Sequence, residues 1–206
     1  PKNFERFEVN LNRQYAILFN SNRTPFREDG LRKALIANSA TAATPFTLIA
    51  ADQEPYKTLA TDVVRRWQEL GSSVELSLKP VEEITGSISP TRNFQAILVG
   101  IDYGLESDPY YLWHSSQIRS TGNNITGVNN PIIDELVEKT RANLNAVERQ
   151  AALDQLQTTL TSQGVMMVVE QKKLDYYFST NFQFVQPPLP AMDADRFLAA
   201  ALWSVR

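Results

Sequence analysis

Apolar residues occur along this chain either as short continuous runs or as stripes recurring every three or four positions. Residues 15–20 (YAILFN) form the first run and read as a buried strand, punctuated by Thr24, Pro25 and Asp29. Between Gly30 and Asn38, Leu31, Ala34, Leu35 and Ala37 recur at helical spacing while Arg32 and Lys33 take the other face. The small-residue stretch 39–44 (SATAAT) breaks that helix, and residues 46–50 (FTLIA) predict a second strand. Asp52 and Pro55 then lead into the clearest helix. Its stripe of Tyr56, Leu59, Ala60, Val63, Val64, Trp67 and Leu70 is expected to be buried, and Gly71 is its stop.

Residues 74–78 (VELSL) alternate like a half-covered strand, 81–88 predict a short helix, and 94–99 (FQAILV) read as another buried strand. Alternating strands and helices predict an α/β layer of parallel strands joined by crossover helices. Ligands are then expected beyond the carboxyl ends of the strands. The segment after Val99, residues 100–130, is rich in Tyr, Ser, Asn and Asp and shows no periodic element. That is long for a connection inside a compact domain, and long ordered loops are usually functional. Asn130 and Pro131 then form a cap and first turn for a helix carrying Ile132, Ile133, Leu136, Val137 and Leu144 toward the core. Asn145 with Glu148 resembles a capping box for a second helix, striped by Leu153, Leu156 and Leu160 and ended by Gly164, so the two should form a hairpin. Residues 165–169 (VMMVV) predict a strand and 175–179 continue extended. Pro187, Pro188 and Pro190 forbid regular structure, and Asp193 or Asp195 starts a terminal helix.

Composition narrows the chemistry. With 20 basic and 23 acidic residues the net charge is -3, which supplies no basic face for nucleic acid or anionic membranes. No run approaches the roughly 20 apolar residues that span a bilayer. The chain has no cysteine and one histidine, His114, so thiolate chemistry and disulfides are excluded and a zinc site would have to be almost wholly carboxylate. The 8 glycines are scattered and form no phosphate loop. No cofactor is implied. Carboxylate pairs, Glu82 with Glu83 or Glu106 with Asp108, are the remaining enzymatic option, although adjacent acids on solvated turns are commoner.

The most specific stretch is GIDYGLESDPYYLWHSSQ, residues 100–117. It is similar to a segment of the extracellular solute-binding proteins of family 5, which serve dipeptide and oligopeptide ABC transporters. The match lies in the strand end, the Asp108-Pro109 pair, the aromatic-rich helix start and Trp113 to Ser116. Strand 15–20 ending in Phe-Asn, followed by the Arg32-Lys33-Ala34-Leu35 helix, resembles the family's pattern, as do the paired helices of 136–160 and Arg196-Phe197 with Trp203. The resemblance implies one α/β lobe of a two-lobed periplasmic binding protein, type II, over residues 1–206. The chain is expected to be a fragment carrying the second lobe, with an excursion of the family missing near 38–45.

The resemblance further implies that the chain is not an enzyme. It implies an extracytoplasmic parent that holds a peptide or similar small solute in an interlobe cleft, with the first lobe and an ABC permease as its partners. In oligopeptide binders an aspartate near the Asp-Pro loop pairs with the peptide amino terminus; four residues before Pro109 stands Leu105, which leaves Asp102, Glu106 and Asp108 as the available acids. The candidate ligand-binding residues are Asp102, Tyr103, Asp108, Trp113 and His114. Each has a plainer role open to it. Trp113 can fill the core, His114 can make local hydrogen bonds and the aspartates can cap turns. Two other functions are open, a protein-interaction module built from a binding-protein lobe and a carboxylate hydrolase.

Overall fold

The computed structural model describes residues 3–39, 44–103, 108–119, 121–143, 145–183, 197 and 200–205. Its first strand, β1 (Phe4–Phe19), is followed by α1 (Asp29–Ile36), β2 (Phe46–Ala51), α2 (Tyr56–Glu69) and β3 (Val74–Lys79). A helical stretch then runs through α3 (Val81–Glu83), a π turn (Ile84–Ile88) and α4 (Ser89–Thr91). After β4 (Ala96–Asp102) come α5 (Tyr110–Trp113), a 3-10 turn (Ser115–Ile118), α6 (Pro131–Ala142), α7 (Ala146–Ser162) and β5 (Met166–Ser179). Two-residue strands, β6 (Phe182–Gln183) and β7 (Ser204–Val205), pair with each other.

The main sheet has the order β3-β2-β4-β1-β5. Strands β2, β3 and β4 are parallel, as expected, but β1 runs antiparallel to both of its neighbours, β4 and β5. The wholly parallel expectation is corrected to a mixed sheet, because an apolar run carries no sign of direction. Helices cover both faces. On one, Leu35 of α1 and Ala60, Val63, Val64 and Trp67 of α2 pack over Ile17, Phe19, Leu48 and Leu98. On the other, Ile133, Leu136 and Val137 of α6 and Leu156 and Leu160 of α7 pack over Ala16, Leu18 and Ile97. The result is a three-layer α/β/α lobe.

The helix caps follow the sequence closely. Asn130 accepts from the Ile132 amide, and Asn145 accepts from the amides of Val147 and Glu148. The capping box is only half formed, since Glu148 takes the side-chain amide of Asn143 at 2.6 Å while the Asn145 amide donates to Asn143 Oδ1. At the far end of α7, Gly164 sits at φ +70°, and a Cβ there would meet Arg32 Cβ at 2.9 Å. Buried Arg32 donates from Nε to the Gly164 carbonyl at 2.8 Å and also to the Phe26 carbonyl, so a cation closes the carboxyl end of α7.

Several expectations are revised. Leu70 and Ile132 are exposed, because each lies at a helix terminus beyond the buried stripe. The loop 100–130 contains α5 and the 3-10 turn, each too short for periodicity to reveal. The N-terminal half of β1 is the largest omission: Phe4 to Asn10 pair with β5 alone, and the ribbon they form extends past β4. Leu144, the prolines after Val185 and the terminal helix at Asp193 or Asp195 lie outside the described residues. Trp67 is fully buried and its Nε1 donates to the Leu35 carbonyl at 3.2 Å, joining α2 to α1. Trp67→Ala should therefore destabilise the chain by about 3–5 kcal/mol, read as a lower midpoint in urea unfolding.

Candidate functional site

The pairing of β1 with β4 sets Arg13 opposite Asp102 at the carboxyl end of β4. Arg13 Nε and Asp102 Oδ2 are 2.5 Å apart, and both side chains are substantially exposed, at 46% and 39%. Around this pair opens a cavity of 520 Å³ lined by Arg13, Tyr15, Tyr56, Ile101, Asp102 and Lys172. The rings of Tyr15 and Tyr56 meet edge to face at 5.2 Å, and Lys172 Nζ lies 5.1 Å from the centre of the Tyr15 ring. Gly100 leaves room for this arrangement, since a Cβ there would come within 2.6 Å of Tyr56 Oη. Burial raises the Tyr56 phenol above its usual range, with a smaller contribution from Tyr15. Cation, carboxylate and ring faces thus converge at one strand end, which suits a solute with an amine, a carboxylate and apolar groups.

A second cavity of 370 Å³ also touches Asp102 and is otherwise mostly apolar, with Leu18, Val99, Leu112, Trp113 and Ile125 among its walls. Trp113 is only 1% exposed and belongs to the core that faces α6 and α7. Its Nε1 donates to the Tyr103 hydroxyl at 2.9 Å. Burial pushes the Tyr103 phenol up to about 12, against the downward pull of that hydrogen bond. Tyr103 itself lines a further cavity, between β1 and α7.

Asp108 and His114 are turned toward α6. The Asp108 carboxylate accepts the Tyr110 amide at 3.0 Å and the Arg141 fork, with Nε at 3.0 Å from both oxygens and Nη2 at 2.6 Å from Oδ2. Arg141 also lies over the Tyr110 ring, 3.9 Å from its centre. His114 stacks on Tyr110 at 4.3 Å, and its Nδ1 accepts from the Ser116 amide at 3.1 Å, capping the 3-10 turn. A neutral ring then carries its proton on Nε2, which is 3.3 Å from Glu138. Other described residues of the loop are pinned as well. Buried Asn124 donates to the carbonyls of Trp113, His114 and Val128 and accepts from Thr126 and Gly127, while Asp134 holds the amide and hydroxyl of Ser115.

Of the five candidates, the structure brings Asp102 and Trp113 to one cavity, connects Tyr103 to Trp113 from beneath, and sets Asp108 and His114 in the joint with α6. Arg13, Tyr15, Tyr56 and Lys172 were not singled out from sequence. Only the aromatic and basic residues flanking the predicted strands hinted at them. Among the alternative carboxylates, Glu83 pairs with Lys79 at 2.9 Å and Glu106 lies outside the described residues. Among the described residues, no group of three or more His, Asp or Glu side chains is arranged to hold a metal, and no helix is long and apolar enough to cross a membrane.

No family model matches the chain, and no curated protein matches it. Solved structures do. The oligopeptide-binding protein AppA of Bacillus subtilis, solved with a nonapeptide, superposes with a TM-score of 0.66 at 12% identity, over 99% of this chain and 53% of its own. The dipeptide-binding protein of Pseudoalteromonas sp. SM9913, solved with Met-Leu, gives 0.68 at 12% identity over 95% and 50%. NikZ of Campylobacter jejuni, solved with Ni(L-His), gives 0.65 at 12% identity over 98% and 54%. The chain has the fold of one lobe of a periplasmic binding protein. It spans about half the length of these neighbours, two of which are named as peptide-binding proteins.

The joint between Asp108 and Arg141 has a measurable consequence. Burial alone would raise the Asp108 carboxyl, but the Arg141 fork and the Tyr110 amide outweigh it and hold the group below the usual 3.8. A depressed folded value stabilises the native state above pH 3.8, and that stability is lost as pH falls through the folded value. Asp108→Asn keeps an acceptor for Tyr110, removes the charge and replaces one oxygen facing Arg141 with an N–H donor. It should lower stability by about 1 kcal/mol at neutral pH in urea unfolding, and the gap to the wild type should close in acid.

Proposed function

We propose that this chain is one lobe of an extracytoplasmic solute-binding protein of an ABC importer, and that the cavity at the end of β4 is its half of an interlobe peptide site. The carrying observation is Asp102. It sits at the carboxyl end of a parallel strand, exposed in a cavity with two tyrosine rings and the cations Arg13, Lys172 and Lys173. Ligands of open α/β sheets bind outside such strand ends. The fold likeness supports the reading, since two of the neighbours above are solved with peptides.

In this reading Asp102 receives the peptide amino group through a charge-assisted hydrogen bond, and Arg13 and Lys172 face a carboxylate. Tyr15 and Tyr56 pack against side chains or the peptide backbone. The first lobe of the parent closes over the ligand, and the closed form delivers its cargo to a membrane permease. The N-terminal half of β1 with the C-terminal half of β5 is the natural connection toward that lobe, because the ribbon extends past the sheet at the same end as Asp102. A single lobe contacts a ligand from one side only, so the isolated chain should bind weakly.

The test is ligand-induced thermal stabilisation of the two-lobed parent against di-, tri- and oligopeptides, sugars and nickel chelates. Peptides should raise the melting temperature, and Asp102→Asn should weaken peptide binding by about 10- to 100-fold in calorimetry. Stabilisation by another class alone would keep the binding role and change the cargo. No stabilisation by any class would overturn the proposal.

A further inference from the structure

The cavity between β1, β5 and α7 lies across the sheet from α2 and shares Leu11, Arg13 and Gln14 with the β4-end cavity. It measures 330 Å³, and its walls include Gln14, Tyr103, Gln150, Asp154, Leu156 and Val168. Gln14 is 4% exposed, an unusual depth for an amide side chain on a sheet face. Its Nε2 is directed at Met166 Sδ at 3.8 Å, a weak acceptor, and its Oε1 is buried with no partner among the described residues. Gln150, one turn before Asp154 on α7, repeats the pattern: Nε2 donates to Asp154 Oδ1 at 2.7 Å, and buried Oε1 has no partner among the described residues.

The polar groups at this cavity are therefore unbalanced. The two Oε1 atoms and the Asp154 carboxylate are acceptors, and no ion pair is found for Asp154 among the described residues. Of the donors that also line the cavity, Arg13 is held by Asp102, Gln171 donates to the Leu11 and Arg13 carbonyls, the Tyr103 hydroxyl accepts from Trp113 Nε1, and Gln157 stands at an exposed position. Burying acceptors unmatched is unfavourable unless a donor enters. The space is also several times the roughly 30 Å³ share of a single water.

We propose that this cavity is a binding site for a small protonated amine, with Gln14 Oε1, Gln150 Oε1 and Asp154 accepting its N–H groups and Leu156 and Val168 covering its carbon chain. An ammonium has three donors and no acceptor, which is the complement of this set. A carboxylate would instead present acceptors to acceptors. Its three acceptors, Gln14, Gln150 and Asp154, are not among the residues assigned to the peptide, although Arg13 lines both cavities.

The probes are ethylamine and 1,4-diaminobutane, with acetate as the control, added to the chain while melting temperature and the side-chain amide NMR signals of Gln14 and Gln150 are followed. At about 100 times its dissociation constant an amine should raise the melting temperature by about 5–10 °C and shift both amide signals, and acetate should do neither. Gln14→Leu, which replaces an unmatched acceptor with an apolar group of similar size, should fold at least as stably and abolish the response. Gln150→Leu, at a half-buried position, gives an independent test and should weaken binding at least tenfold. An amine response that survives Gln14→Leu or Gln150→Leu unchanged, or that leaves both amide signals unmoved, overturns the proposal. Absence of any amine response in the wild-type chain does so as well.

Discussion

The register of β1 is the constraint on which the rest depends. Side chains alternate along a strand, so a slip of one residue would exchange the two faces of β1 completely. In the observed register Arg13 meets Asp102, Tyr15 sits opposite Gly100, and Ala16 and Leu18 reach the helices α6 and α7. Gln14, between Arg13 and Tyr15, lines both the β4-end cavity and the space under α7. One strand thus supplies both cavities. The bulge between Asn10 and Gln14, where the pairing with β5 shifts, lies where β1 leaves the sheet and becomes half of the ribbon.

The loop that follows β4 is the most distinctive part of the sequence, yet many of its described polar groups are engaged by other parts of the protein. Asp108 is engaged by Arg141, His114 by Ser116 and Glu138, Ser115 by Asp134, and Asn124 by five backbone and side-chain groups. Such a network is well suited to holding Trp113 and Leu112 against the end of β4, because an irregular segment needs side-chain partners for the backbone groups that a helix or sheet would satisfy. Distinctive sequence here marks the scaffold of a site as much as its contact surface.

What was legible in the sequence was local. The stripe from Tyr56 to Trp67, the Asn130 and Asn145 caps and the glycine stops at 71 and 164 all act within a few residues, and each appears where the pattern placed it. The ribbon was not legible. Phe4 to Asn10 has no apolar run or clean alternation, and its order comes from partners such as Asp175, which Arg6 reaches across 169 positions at 2.8 Å. The same holds for the site. Asp102 stood out beside the Asp-Pro loop, but Arg13, Tyr56 and Lys172 join it from three other strands or helices, and no spacing rule connects them. Gln14 carried no signal at all, since an amide inside an apolar strand is conspicuous only once its burial is known.

The balance of charge around Asp102 bears on what the β4-end cavity would accept. Asp102 is already neutralised by Arg13, so a simple cation arriving there would compete with a 2.5 Å ion pair and leave Arg13 uncompensated. A zwitterion avoids that penalty. Its ammonium can share the carboxylate, which has about four lone-pair sites, while its own carboxylate takes up the released guanidinium. Lys172, tied to Glu170 at 3.1 Å, adds another exposed pair of opposite sign beside the Tyr15 ring. Interleaved charges of both signs over aromatic faces match a peptide-like solute better than a bare amine or a bare acid. The cavity under α7, whose unmatched buried atoms are acceptors, would select the opposite way.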